Sequence, residues 1–457
     1  MFNCFSFNPH SQKSPNSQNT FFEPLESRTM LSTVVYTESN NPAAGQNAVL
    51  AFTRNANGTL SELSSSPFLT GGTGIANPTA ALGPDDSDQE VELSADHRFL
   101  LAVNQGSNSI TVFKIRSDGS LSLVPGAPFS SNGVQPVSLG VDGDKTYVTN
   151  RGDEIQGQTG TVSGNYTGFL MHSDGSLTPI ANSTITLPVG LSPAQSLISR
   201  TGRFVFGDNF TPPPLLNVTD ANTIETLRVG SNGSLKALGA VGASVTPPLV
   251  LGLAQHPTAN ILYAGLTGAN EVGVFTYDSA GTVTFRGPIA DQGMAACWLV
   301  VSADGKYLYV ANSASDDVGV YSLSDPLHPV QIQEFSLAGP RHLPGATANQ
   351  TVDFQMTLDP TGRLLYVVNH ETAPPPGFAG GNQLHVLRVD EDGALSERKT
   401  SPLIFPVSQV PATAHPQGIA AISLSHAQQQ PAFSPRPIRD GDEDDDDHRL
   451  HHHKRRD

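Results

Sequence analysis

Short apolar runs alternate with polar turns along most of the chain. Residues 302–323, SADGKYLYVANSASDDVGVYSL, show the unit. A polar turn at Asp304-Gly305 leads into an alternating strand from Tyr307 to Ala311. Asn312, a small polar loop and a second alternating strand from Val318 follow. Alternation with a period of two marks a half-buried strand. The unit recurs at residues 94–115, SADHRFLLAVNQGSNSITVFKI, where Ser94-Ala95-Asp96 falls on Ser302-Ala303-Asp304 and Asn104 on Asn312. Weaker copies begin at Val141, Ser199, His256 and Asp359. Successive copies start roughly 45–60 residues apart, the spacing of propeller blades.

Each copy has four strokes. A short apolar strand opens it, as at 91–94, 137–141, 298–302 and 354–358. A tight polar turn, a Tyr/Val-rich second strand and an alternating third strand follow. Many copies then turn through Asn57-Gly58, Asp118-Gly119, Asp174-Gly175, Asn232-Gly233 or Asp392-Gly393 into a Leu-led fourth strand. Such dipeptides tolerate the positive φ of a tight hairpin. A four-stranded sheet cannot bury both faces alone, whereas sheets stacked radially bury both. Second strands are expected near Val34, Phe99, Thr146, Phe204, Ile261, Tyr307 and Leu364, which makes seven blades. The first unit, 34–63, lacks an innermost strand, and HPQGIAAISLS at 415–425 reads as an innermost strand with nothing after it. The pattern therefore predicts an all-β, seven-bladed propeller over 34–425, closed by pairing of the C-terminal strand with the N-terminal blade. Residues 1–33 are expected to be a flexible leader. Residues 426–457, a Gln/Pro linker with acidic and His/basic runs, are too polar to order themselves.

Composition agrees. Among 457 residues, 43 Gly, 35 Pro and only 15% charged residues suit a turn-rich β protein. A formal charge of −17 argues against a nucleic-acid partner, which needs a basic face. Cys4 and Cys297 cannot make a disulfide framework. Cys297, inside ACWLVV, reads as an inert buried thiol. The apolar runs are strand-sized, so no transmembrane segment is expected. The segment FFEPLESRTMLS, 21–32, resembles a leader motif of exported proteins through Leu25, Glu26, Arg28, Met30, Leu31 and Ser32. That resemblance implies an extracellular or cell-surface protein; a chance match leaves the chain cytoplasmic. His448 and His451 to His453 offer imidazoles to stray transition metals.

The stretch CWLVVSADGKYLYVANSASDDVGVYSL resembles the repeat of the lactonase-type seven-bladed propellers, a family that includes the propeller form of 6-phosphogluconolactonase and the fungal carboxymuconate cyclase. The resemblance implies hydrolysis of a small cyclic ester at the channel mouth by a monomer. It also implies an Arg and a His before one blade, a Glu after a VN strand end, and a His-containing strand before a D-L-G-x-D loop. GPRH at 339–342 supplies Arg341 and His342. VVNHE at 367–371 places Glu371 one position late, with His370 in its former place. NRGDE at 150–154 supplies Arg151, Asp153 and Glu154 instead of the acidic-glycine loop, and the preceding GVQPVSLGV lacks the histidines.

Lactone opening needs a general base, an electrophile for the oxyanion and a proton for the leaving alkoxide. On this reading Arg341 is the electrophile, His370 or Glu371 the base and His342 the proton carrier. Arg151 grips an anionic substrate group as a bidentate fork, with Asp153, Glu154 and Asn312 as further substrate contacts. The chain has no G-x-S-x-G, H-E-x-x-H or P-loop motif, and no cofactor is expected. A calcium-assisted variant needs Glu38, Asn104 and Asn312 around one ion. The alternative to an enzyme is an exported propeller that binds a glycan or protein through the same face. The strand-end residues Asn104, Asn150, Asn312 and Asn369 also read as turn-formers bonding their own backbone, and His415 as a cap on the closing strand.

Overall fold

The run Val34-Val35-Tyr36 explains why these strands are apolar on both sides, because successive side chains of a strand point to opposite faces. Within Ser32–Glu38, Val34 and Tyr36 pack with Leu100, Ala102 and Phe113 of one neighbouring sheet. Val35 packs with Tyr366, Val368 and Leu384 of the other. Each such side chain contributes roughly 1.5–3 kcal/mol on burial. The computed structural model describes residues 32–75, 87–153, 160–211, 219–338, 351–371, 382–411 and 414–424. The leader-like segment up to Leu31 and the tail with its histidines lie outside the described residues.

Seven antiparallel sheets make the ring. From the axis outward, blade 1 comprises Gln417–Leu424, Ser32–Glu38, Ala48–Arg54 and Leu60–Glu62. The first two strands are Val91–Leu93 and Phe99–Asn104 in blade 2, Pro136–Asp142 and Lys145–Asn150 in blade 3, and Leu197–Ile198 and Phe204–Asp208 in blade 4. They are Val250–Gln255 and Ile261–Leu266 in blade 5, Ala296–Val301 and Tyr307–Asn312 in blade 6, and Thr351–Leu358 and Leu364–Glu371 in blade 7. The second strands thus begin at or within two residues of the expected positions. Val34 pairs with Ile422 and Tyr36 with Ala420, so the last strand closes the ring on the first blade as the pattern predicts.

The hairpin glycines do more than turn the chain. Gly119 and Gly393 have φ of +84° and +82°, which L side chains rarely adopt. A Cβ on Gly393 would sit 2.3 Å from the Tyr307 ring, and one on Gly119 2.7 Å from Val34. Each hairpin tip therefore packs on the second strand of the preceding blade. The glycine carbonyls also accept hydrogen bonds from that blade. The hydroxyl of Tyr36 donates to Gly119 at 2.8 Å, Tyr147 to Gly233 at 3.0 Å and Tyr309 to Gly393 at 3.2 Å. Tyr366 of blade 7 departs from the rule. Its buried hydroxyl has no partner among the described residues, and at that seam Arg398 donates to the Asn57 carbonyl.

The expectation that the strand-end asparagines bond their own backbone is corrected. Cβ atoms at Gly72, Gly133 and Gly293 would fall 2.3, 2.4 and 2.2 Å from the amides of Asn104, Asn150 and Asn312. Asn150 Nδ2 donates to the Ser131 carbonyl at 3.1 Å, and Asn104 Nδ2 to Thr111 Oγ1 at 2.9 Å. These side chains clamp the segment that leads into their own blade onto its second strand.

Candidate active site

The segment leading into blade 2 runs across the channel rather than along its wall. The Ser87 carbonyl accepts from Trp298 Nε1 of blade 6 at 2.5 Å and from Gln355 Nε2 of blade 7 at 2.8 Å. The Gln89 carbonyl accepts from Leu139 N of blade 3 at 2.9 Å. Its side-chain oxygen accepts from Gln195 Nε2, before blade 4, also at 2.9 Å. Gln89 adopts φ +69° to make this crossing. Gln355 Nε2 also donates to Glu90 Oε1 at 2.8 Å. Four blades therefore hold one segment over the axis, and the segment brings carboxyls to the channel. Burial first, then the charges of Glu92 and Asp208, push Asp88 up to about 8. Burial pushes Glu92 and Asp208 up to about 7. Asp208 Oδ2 accepts from Gly252 N at 2.6 Å, while Oδ1 is buried with no partner among the described residues.

A second feature lies where blade 7 meets blade 1. Strand Leu364–Glu371 carries His370 to its loop end, where the imidazole stacks on His415 with ring centroids 4.5 Å apart and planes 11° apart. Phe354 supports His370 at 4.8 Å and itself lies 3.9 Å from Trp298. His370 is 0% exposed, and neither ring nitrogen has a hydrogen-bond partner among the described residues. Burial, and secondarily the neighbouring His415, hold its pKa well below the ordinary imidazole value. At neutral pH the ring is uncharged, because burial and the neighbouring imidazole both disfavour its protonated form. His415, expected as a strand cap, is the stacking partner.

The other residues singled out in the sequence separate. Asn312 is tied into a carboxylate cluster of blades 6 and 7. Its N–H donates to Asp353 Oδ2 at 3.1 Å, and its amide to Asp291 Oδ1 at 2.9 Å and Glu334 Oε1 at 3.0 Å. Beside it Asn369 Nδ2 donates to Asp316 Oδ1 at 2.6 Å and Thr351 Oγ1 to Asp316 Oδ2 at 2.9 Å. Burial, then Asp316 and Asp317, raise Asp353 well above the carboxylate range; burial and Asp317 push Glu334 up to about 9. Arg151, 2% exposed, lies three blades round from His370, and its Nε donates to Ser192 Oγ at 2.8 Å. Asp153 organises its own loop. It accepts from Val162 N at 2.6 Å, Thr161 N at 2.7 Å and Thr161 Oγ1 at 2.8 Å, and these bonds, the Val162 N–H foremost, lower its pKa. Glu371 ends its strand, with its side chain outside the described residues; Arg341, His342 and Glu154 lie outside them altogether.

Glu38 and Asn104 share the Asn47 amide, at 2.9 and 3.0 Å, whereas Asn312 belongs to blade 6. The three oxygens of the calcium variant do not meet. Among the described residues no group of three His, Cys, Asp or Glu side chains is placed to hold a metal ion. At the opposite end of the ring a cleft of about 1130 Å³ is lined by Arg54, Arg363, Arg388 and Arg398. Arg54 pairs there with Asp359 at 3.1 Å and Arg388 with Asp390 at 2.9 Å. The imidazoles and the crossing segment lie at the other end.

The family model for the lactonase, 7-bladed beta-propeller, matches residues 45–152 and 215–372, more than half of the chain. The chain belongs to this lactonase family. Solved structures repeat the fold. A candidate 6-phosphogluconolactonase from Bacteroides uniformis is 18% identical, with a TM-score of 0.60 over 86% of this chain and 99% of its own. The periplasmic gluconolactonase of Pseudomonas aeruginosa is 19% identical, with a TM-score of 0.51 over 72% of this chain and 99% of its own. At such identities the likeness speaks for the fold. No curated protein matches the chain. No helix among the described residues of this lactonase propeller is long and apolar enough to cross a membrane. Sequence reasoning missed Asp88, Glu90, Trp298, Asp353 and Gln355. Their one available signal was position, since all lead into or open an innermost strand.

Proposed function

We propose that this lactonase-family propeller hydrolyses a small cyclic ester at the loop end of its channel, with His370 as the general base. The observation that carries the reading is the fully buried imidazole, stacked on His415, with neither nitrogen engaged among the described residues. In the reaction, water adds to the lactone carbonyl while His370 takes its proton. The tetrahedral oxyanion then collapses, the ring C–O bond breaks, and the imidazolium returns the proton to the leaving alkoxide. The product is a hydroxy acid. His415 stacks against the ring and positions it. The sequence resemblance assigns the oxyanion to Arg341 and a proton-carrying role to His342. The names of the Bacteroides and Pseudomonas relatives favour a sugar lactone. The leader-like segment at 21–32 favours work outside the cytoplasm.

The test is acid release from a lactone panel by pH-stat, with parent, His370→Gln and Arg341→Ala side by side. Loss of a general base lowers kcat by about 10²–10⁴. Unchanged rates in both variants remove the assignment. A parent inactive on every lactone moves the protein to the second reading, a propeller that binds a glycan or protein through this face. One observation favours that reading: Arg151 bonds Ser192 and Asp153 bonds its own loop, rather than converging on His370.

A further inference from the structure

Polar side chains at the loop end of the ring divide into engaged and unengaged ones. The division bears on what the lactone carries, an inference that rests on the lactonase reading. One residue holds the same place in each of these blades, directly after the last pair between the second and third strands. In blade 3 it is Arg151, which donates to Ser192 Oγ at 2.8 Å. In blade 5 Thr267 donates to the Ala296 carbonyl at 3.0 Å, and in blade 6 Ser313 donates to the Asp353 carbonyl at 2.9 Å. In blade 7 it is His370. In blade 2 it is Gln105, which is 0% exposed with neither amide atom engaged among the described residues. Gln417, at the start of the closing strand and 1% exposed, adds a third case: its Nε2 has no acceptor among the described residues.

Contacts join the three along one arc, from blade 2 through blade 1 to blade 7. Gly106 N, beside Gln105, donates to the Thr73 carbonyl at 3.0 Å. Two residues further on, Ile75 N donates to Asn40 Oδ1 at 2.8 Å, and Asn40 Nδ2 donates to Gln417 Oε1 at 3.4 Å. Gln417 stands two residues after His415, which stacks on His370. A buried polar group without a partner costs stability, and native structures keep few of them. Three on one arc are explained by a ligand that completes them. Carboxamides donate and accept hydrogen bonds without carrying charge. A hydroxyl, which also does both, is their complement.

We infer that Gln105 and Gln417 bind ring hydroxyls of the substrate, so that the site takes a hydroxylated lactone and holds it against His370. The experiment measures kcat/KM for glucono-δ-lactone and for δ-valerolactone, the same ring without hydroxyls, on the full chain. Gln105→Met and Gln417→Met, which keep the side-chain length and drop its polar end, stand beside the parent. A site built to hydrogen-bond a substrate hydroxyl rejects the analogue that lacks it. The parent should therefore prefer glucono-δ-lactone by at least about 100-fold. Each variant should lose at least about tenfold on glucono-δ-lactone and leave δ-valerolactone unmoved. The parent's own preference keeps the test standing where a variant fails to fold. Variants that slow both lactones alike, or neither, overturn this inference and leave the lactonase reading standing. A parent that opens δ-valerolactone as readily, or only lactones without hydroxyls, does the same. A parent inactive on every lactone overturns the lactonase reading, and this inference falls with it.

Discussion

Replacing His370 by Phe should make the protein more stable and inactive at once. The imidazole is 0% exposed, with both nitrogens unpartnered among the described residues. An unsatisfied buried polar group costs roughly 1–3 kcal/mol. Phe keeps a flat ring in a slot bounded by His415 at 4.5 Å and Phe354 at 4.8 Å, so the stacking survives. The swap therefore gains about 1–3 kcal/mol, less any cost of the slightly larger ring. Unfolding the 345 described residues at roughly 2.1 cal/mol/K each gives about 0.7 kcal/mol/K, so Tm should rise by about 1–4 °C. Scanning calorimetry reads the first effect and pH-stat hydrolysis the second. A purely architectural histidine gives the opposite pattern, a lower Tm with the rate intact, and that outcome would refute the reasoning.

Two further outcomes follow from the same geometry. Tyr309→Phe removes the 3.2 Å bond to Gly393 and should cost about 0.5–1.5 kcal/mol in denaturant unfolding, whereas Tyr366→Phe, whose hydroxyl has no partner among the described residues, should be neutral or slightly stabilising; equal losses would refute the inter-blade role. Asp88, Glu92 and Asp208, pushed up to about 8, 7 and 7, hold protons in the folded state that the unfolded chain releases near pH 4, so stability falls as pH rises through that window. Tm should drop between about pH 6 and about pH 8.5, and Asp208→Asn should flatten the slope; a Tm that climbs over that range contradicts the burial of these acids.

The ring was legible because its signals are local. Period-two alternation, the Asp-Gly hairpins and the unpaired strand at 415–425 each express chemistry within a few residues, and together they count blades and name the closing strand. The site was legible only in part because its contacts are distant. Trp298 meets Ser87 across 211 residues and Gln355 meets Glu90 across 265. No local pattern reveals that a segment before blade 2 crosses the axis. His370 stood out as a departure from the family motif, yet His415 read as a cap because its stacking partner belongs to another blade. Asn312 looked like a substrate contact because a strand-end amide facing a channel and one clamping a loop are the same residue in the same place. Arg151 and Asp153 were chosen for charge, and charge alone does not show that a neighbouring hydroxyl or loop N–H already occupies it.

Closure of the ring by Gln417–Leu424 also sets a timetable for synthesis. The strand Ser32–Glu38 leaves the ribosome before the other described strands and meets its inner neighbour only once Gln417–Leu424 has been translated. Until then its unpaired amides and carbonyls offer an open edge to any passing strand. A nascent chain stalled after blade 7 but before residue 417 would hold all its outer architecture and still be sticky, so the ring is most vulnerable just before its closing strand emerges.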